Sequence, residues 1–208
     1  MEISLIILGG LVFVLAVYLN AKHRTASIQR AIADEKASIV EDSGTTANIG
    51  IFHPDAVTSV LIGVSEDKGS FYYRMLKQGK SINRSKINLA NLSKIDLLVG
   101  STTRDVNCTS NQPTTALKAT EIASSMMTQY PPDTLKTIQR VALRISFVSE
   151  TGSVKTLDIT SLRPEDDRKG FQRVQLFKNT VWWVAFLNIA SRQARHMRAQ
   201  MHVREDES

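Results

Sequence analysis

Residues 3–21 (ISLIILGGLVFVLAVYLNA) contain no charged side chain, and no other stretch limits the possible folds of this chain so strongly. Wound as a helix they extend roughly 28 Å, close to the ~30 Å hydrocarbon layer of a bilayer. The run therefore predicts an uncleaved transmembrane helix. A cleaved signal peptide needs a basic segment before the apolar run and small residues at the cleavage site. Here only Glu2 precedes the run, and Tyr18, Leu19 and Asn20 suit cleavage poorly. Gly9 and Gly10 are adjacent, which is not the small-xxx-small spacing that packs helices in membranes. Lys22, His23 and Arg24 follow directly, with Arg30 soon after, and positive charge stays on the cytoplasmic side. The expectation is a single-pass protein of the inner (cytoplasmic) membrane with its remaining residues in the cytoplasm. The single Cys108 agrees, since one cysteine builds no internal disulfide.

Behind the run, 42% hydrophobic and 22% charged residues are the proportions of a globular chain, enough for one domain over residues 49–204. A net charge of +6 favours acidic surfaces, and the nearest to a tethered domain is the anionic inner leaflet. Expected partners are therefore membrane lipids through the N-terminal helix, and a protein partner or a second copy. Nucleic acid is not expected, because basic residues are not interleaved with aromatics.

Residues 22–48 divide into a juxtamembrane helix and a linker. Ile28, Ala31, Ile32 and Ile39 recur at helical spacing, a stripe open to packing on the domain, pairing with another copy, or extending the span. The linker EDSGTTAN follows, and His53-Pro54-Asp55 predicts a turn or helix start. From Val57 the period becomes two. Val60, Ile62 and Val64, a polar Glu66–Gly69 turn, then Phe71, Tyr73 and Met75 predict a hairpin. Gln78-Gly79-Lys80 predicts a second turn, leading to Ile82, Ile87 and Leu89, and residues 95–99 (IDLLV) predict another strand. Residues 101–137 read as an insertion holding a helix over 116–129, with Ala119, Ile122, Ala123 and Met126 on one face. A second hairpin joins 138–147 to 154–159 across Glu150-Thr151-Gly152-Ser153. Pro164 with Glu165, Asp166 and Asp167 then announces a long helix. Its middle is apolar over more than one face: Phe171, Val174, Phe177, Val181, Val184, with Leu176, Trp183, Leu187, Ala190 and Met197 beside them.

This order of elements, with SKINLANLSKIDLLVG and VALRISFVSETGSVKTLDITSL as its most telling stretches, resembles the bacterial pleckstrin-homology-like (PH-like) domains found behind membrane spans. The resemblance implies an α+β fold in which an antiparallel β-sheet or barrel is closed by the C-terminal helix. Inositide-binding members carry K-x(n)-K/R-x-R at the first hairpin. Here Lys68 and Arg74 are followed by Leu76 in the last Arg position, so the resemblance implies a scaffold for protein or general membrane contacts.

No catalytic constellation is present. His23, His53, His196 and His202 are scattered without metal-ligand spacing, and QGKS at 78–81 has Arg74 where a phosphate loop needs its first Gly. Asp166 and Asp167 serve a helix start better than acid/base work. No catalytic, cofactor-binding or metal residue is nominated, and the chain is expected to be no enzyme. Interaction candidates are Trp182 and Trp183, which lie ~100° apart on a helix so that one should be partly exposed. Met126, Met127 and Tyr130 in the insertion and the basic Arg192, Arg195 and Arg198 complete the set. The expected function is a membrane-anchored binding or assembly module, a scaffold or adaptor. The alternative is a structural subunit of a secretion or envelope complex with its domain outside the cytoplasm.

Overall fold

The computed structural model describes residues 2–44, 47–53, 58–130, 132–164 and 170–206; the side chains of 2–14, 16, 132, 136 and 202–206 lie outside the description. The turn expected at Pro54-Asp55 and the acidic helix start at 165–167 fall outside it too. In chain order the elements are α1 (Glu2–Ser43), β1 (Asn48–Phe52), β2 (Thr58–Ser65), β3 (Ser70–Lys77), β4 (Lys80–Asn88), a one-turn 3-10 helix (Leu89–Asn91), β5 (Leu92–Val99), β6 (Thr102–Arg104), α2 (Thr115–Gln129), α3 (Pro132–Thr137), β7 (Val141–Val148), β8 (Val154–Leu162) and α4 (Phe171–Asp206). The strands form two four-stranded sheets, β1-β2-β3-β4 and β6-β5-β7-β8. The barrel allowed by the sequence is thereby corrected: among the described residues no closed barrel forms. The chain divides into two units, residues 1–63 with 72–85, and residues 64–71 with 86–208.

In the first unit, α1 docks by a stripe at four- and three-residue intervals: Ile28, Ile32, Glu35, Ile39 and Ser43 are buried while their neighbours face solvent. Ile28, Ile32 and Ile39 pack with Leu61 of β2 and with Tyr72 and Leu76 of β3. Gly63 lets the helix approach, because a Cβ there would stand 2.6 Å from Ile39 Cγ2. The β3–β4 turn is two residues with positive φ, Gln78 (52°) and Gly79 (75°), the hairpin geometry that matches strand twist. Gly44, at φ 77°, stands just past the last helical residue, where a left-handed residue commonly ends a helix.

The helix stripe buries a carboxylate. Glu35 Oε1 accepts from Arg84 Nη2 (2.5 Å) and Nε (3.0 Å), and its Oε2 lies 3.5 Å from Arg74 Nε. Arg74, itself 5% exposed, donates to Asp42 Oδ2 and to the carbonyls of Tyr73 and Ser85. Tyr72 donates to the Asp42 carbonyl, so the sheet also serves the C-terminal turn of the helix.

These packing facts bear on the expected membrane span. Among the described residues, no helix is long and apolar enough to cross a membrane. The transmembrane helix at 3–21, the single-pass topology, the inner-membrane placement and the orienting role of Lys22, His23, Arg24 and Arg30 are corrected accordingly. Residues 3–21 are the N-terminal turns of α1, which continues without a break through Ser43. From Lys22 onward that helix carries charge on its exposed faces and buries a single stripe, the pattern of a helix lying on a protein core. Lys22, His23, Arg24 and Arg30 are all exposed on it.

In the second unit, β7 lies between β5 and β8 and pairs antiparallel with both, so Leu97, Leu143 and Ile159 form one row and Ile95, Ile145 and Leu157 another. Helix α4 packs on these strands with Phe177, Val181, Val184 and Leu187 buried. Polar pins fix its register: Thr180 donates to Ser161 Oγ, Asn188 Nδ2 to the Ile95 carbonyl, and Arg195 to the Leu92 carbonyl. The segment between β5 and β7 supplies β6, which pairs with the end of β5, and α2, which packs on α4. Thr114 caps α2 by accepting from Leu117 N. On the other face of the sheet, Asp96, Arg144 and Asp158 stand in cross-strand register, with Arg144 bidentate on Asp158 at 2.7 Å for both bonds.

Candidate binding surfaces

The sequence candidates in the second unit mostly serve its own packing. Trp183 is 6% exposed, and Trp182 is half-buried. Trp182 stacks on Phe186 (4.8 Å between ring centres) and its Nε1 donates to Thr120 Oγ1 of α2 at 3.1 Å. The two indoles meet edge to face at 5.0 Å. Met126 is buried, Met127 half-buried, and Tyr130 lies 4.9 Å from the Phe177 ring. These residues gather where α2 meets α4, and the tryptophan with the more exposed surface is held by a hydrogen bond there. Arg195 and Arg198 are exposed yet tied to the 3-10 turn region, to the Leu92 carbonyl and to Asn91 Oδ1. Arg192 is exposed and stands near Cys108.

Burial pushes the Cys108 thiol up, an effect that outweighs the opposing pull of Arg192. Its sulfur donates to the Val106 carbonyl at 3.1 Å. At neutral pH this is a protonated, half-buried thiol, the opposite of an activated nucleophile. Among the described residues no three His, Cys, Asp or Glu side chains are grouped to hold a metal.

Among the described residues, two surfaces stand out. The first is the N-terminal part of α1, where Leu15, Val17, Tyr18 and Leu19 are 45–62% exposed. The turns from Ile28 onward bury apolar side chains in the first unit, whereas the described side chains before it, Leu15 and residues 17–27, are exposed. The second is a cavity of about 230 Å³ between α2 and the segment before it, lined by Asn107, Thr109, Glu121, Ile122, Ser125, Met126 and Gln129. Sequence reasoning missed this cavity, although Glu121 and Ser125 share a face of the predicted helix at i, i+4. It missed Glu35 and Arg74 as well, because charged residues are rarely buried unless paired and no sequence signal pairs them. Compared with known proteins, the chain matches no family model, no curated protein and no solved structure.

Proposed function

We propose that the protein is an assembly module that associates with a second copy of itself through the N-terminal turns of α1, its folded parts serving as a PH-like scaffold. The observation that carries this reading is the exposure of Leu15, Tyr18 and Leu19, which share one side of a continuous helix whose later turns are docked. Contiguous apolar surface of this kind marks a contact for another molecule. A second copy is favoured by spacing. Leu5, Leu8, Val12, Leu15 and Leu19 recur at alternating intervals of three and four, the a/d repeat by which identical helices pack in register. Support for the PH-like scaffold is the succession of hairpins followed by a long helix.

Sedimentation velocity of the full chain, kept monodisperse in a mild non-ionic detergent at about 50 µM, tests the reading. Dimers or higher oligomers are expected. Each seam leucine contributes about 1.5–3 kcal/mol when buried, so Leu15→Lys with Leu19→Lys weakens association at least about 100-fold. A monomeric parent, an unchanged variant, or flotation with lipid vesicles without self-association contradicts it.

A further inference from the structure

The cavity beside α2 has a divided lining. Ile122 and Met126 are 5% and 7% exposed and form an apolar floor. Asn107, Thr109, Glu121, Ser125 and Gln129 are exposed and form a polar rim. Glu121 is the sole ionisable residue in the lining. Ser110 donates to its Oε2 at 2.6 Å, which steadies the carboxylate in the lining, and among the described residues no cation pairs with it. Asn107 Oδ1 is engaged by the backbone N and hydroxyl of Thr109, so the fixed negative charge at the rim is that of Glu121. At about 230 Å³ the space is smaller than the ~300–1,000 Å³ of drug-sized sites and suits a single extended side chain.

From this lining we infer a binding site for a cation on an aliphatic stem, a guanidinium or ammonium group whose methylenes lie on Ile122 and Met126 while its head meets Glu121. An anion is disfavoured by Glu121, and a purely apolar ligand leaves five polar rim residues to be desolvated without compensation. A flexible stem with a charged tip satisfies both parts of the lining, as lysine and arginine side chains do when they lie along apolar surface with the head in a polar environment.

The test uses the full chain with ¹³C-methyl methionine, whose Met126 signal reports from the cavity floor. Agmatine, a guanidinium on a four-carbon stem, should shift that signal saturably at millimolar concentration, and the neutral n-butylurea should not. Glu121→Gln, which keeps the Ser110 hydrogen bond and should keep the melting temperature, should weaken agmatine at least tenfold. A blocked Gly-Arg-Gly peptide separates the sources of the cation. Binding tenfold tighter than agmatine assigns the site to a partner's arginine, and weaker binding assigns it to a free small cation. No Met126 shift with either probe, or equal binding to Glu121→Gln, overturns the inference.

Discussion

Asp158 on β8 illustrates how much of this surface is charge locked in place. Arg144 grips it through two bonds of 2.7 Å and Arg140 stands 3.7 Å away, and the Arg144 hydrogen bonds hold the carboxyl below its usual range against a smaller opposing effect of burial. A carboxylate depressed in the folded state contributes stability that is present above its unfolded pKa and lost as pH falls through the folded value. Urea midpoints of the full chain and of Asp158→Asn, followed from pH 7 to pH 3, should therefore differ by a steady amount near neutrality and begin to approach each other only below about pH 4. A difference constant across that range would show that the pair contributes nothing that titrates. The exposed position of the pair keeps the expected effect small, as bridges open to solvent usually are. The cross-strand placement of Arg144 opposite Asp158 is readable from a hairpin whose turn is already located; the depth of Asp96, 5% exposed on the same face, is not.

Helix α1 holds two kinds of turn, and the sequence displays one of them more clearly than the other. Ile28, Ile32 and Ile39 form a visible stripe, yet Glu35 between them reads as a solvated charge until β3 and β4 bring Arg74 and Arg84 to it. Removing one partner of a buried ion pair costs about 3–5 kcal/mol, and the exposed side chain of Arg84 puts the expectation for Glu35→Ala at the low end, about 3 kcal/mol. Joint replacement by Glu35→Leu and Arg74→Met should recover most of that loss in urea unfolding, because no uncompensated charge then stays buried. If Glu35→Ala unfolds like the parent, the helix is held by its isoleucines alone. The hairpins β2–β3 and β7–β8 were legible because Glu66–Gly69 and Glu150–Ser153 announce their turns. By contrast β6, three exposed polar residues, exists through its pairing with β5, and no local pattern specifies a distant partner. Strand β1 is five residues with only Gly50 and Phe52 buried, too short for periodicity to show.

At the scale of the whole chain, alternation of apolar residues gives each strand a face but not a neighbour, so the sequence left a single sheet or a barrel where two separate sheets form. The same limit applies to Trp182: a helix with apolar residues over more than one face must contact more than one element, but only the structure brings Thr120 of α2 to the indole. The uncharged run at 3–21 is equally ambiguous, since an apolar helix satisfies a bilayer or another helix with the same residues. The proposed pairing of this run with its own copy along Leu15 and Leu19 is open to direct test by site-directed cross-linking. In a Cys108→Ser background, single cysteines at positions 15, 17 and 19 are oxidised in the full chain and the covalent dimer is quantified. Parallel, in-register pairing predicts efficient disulfides at 15 and 19 and little at 17, which lies across the helix from the seam. Equal yields at all three positions, as random collision gives, or none at any, would contradict self-pairing along this seam.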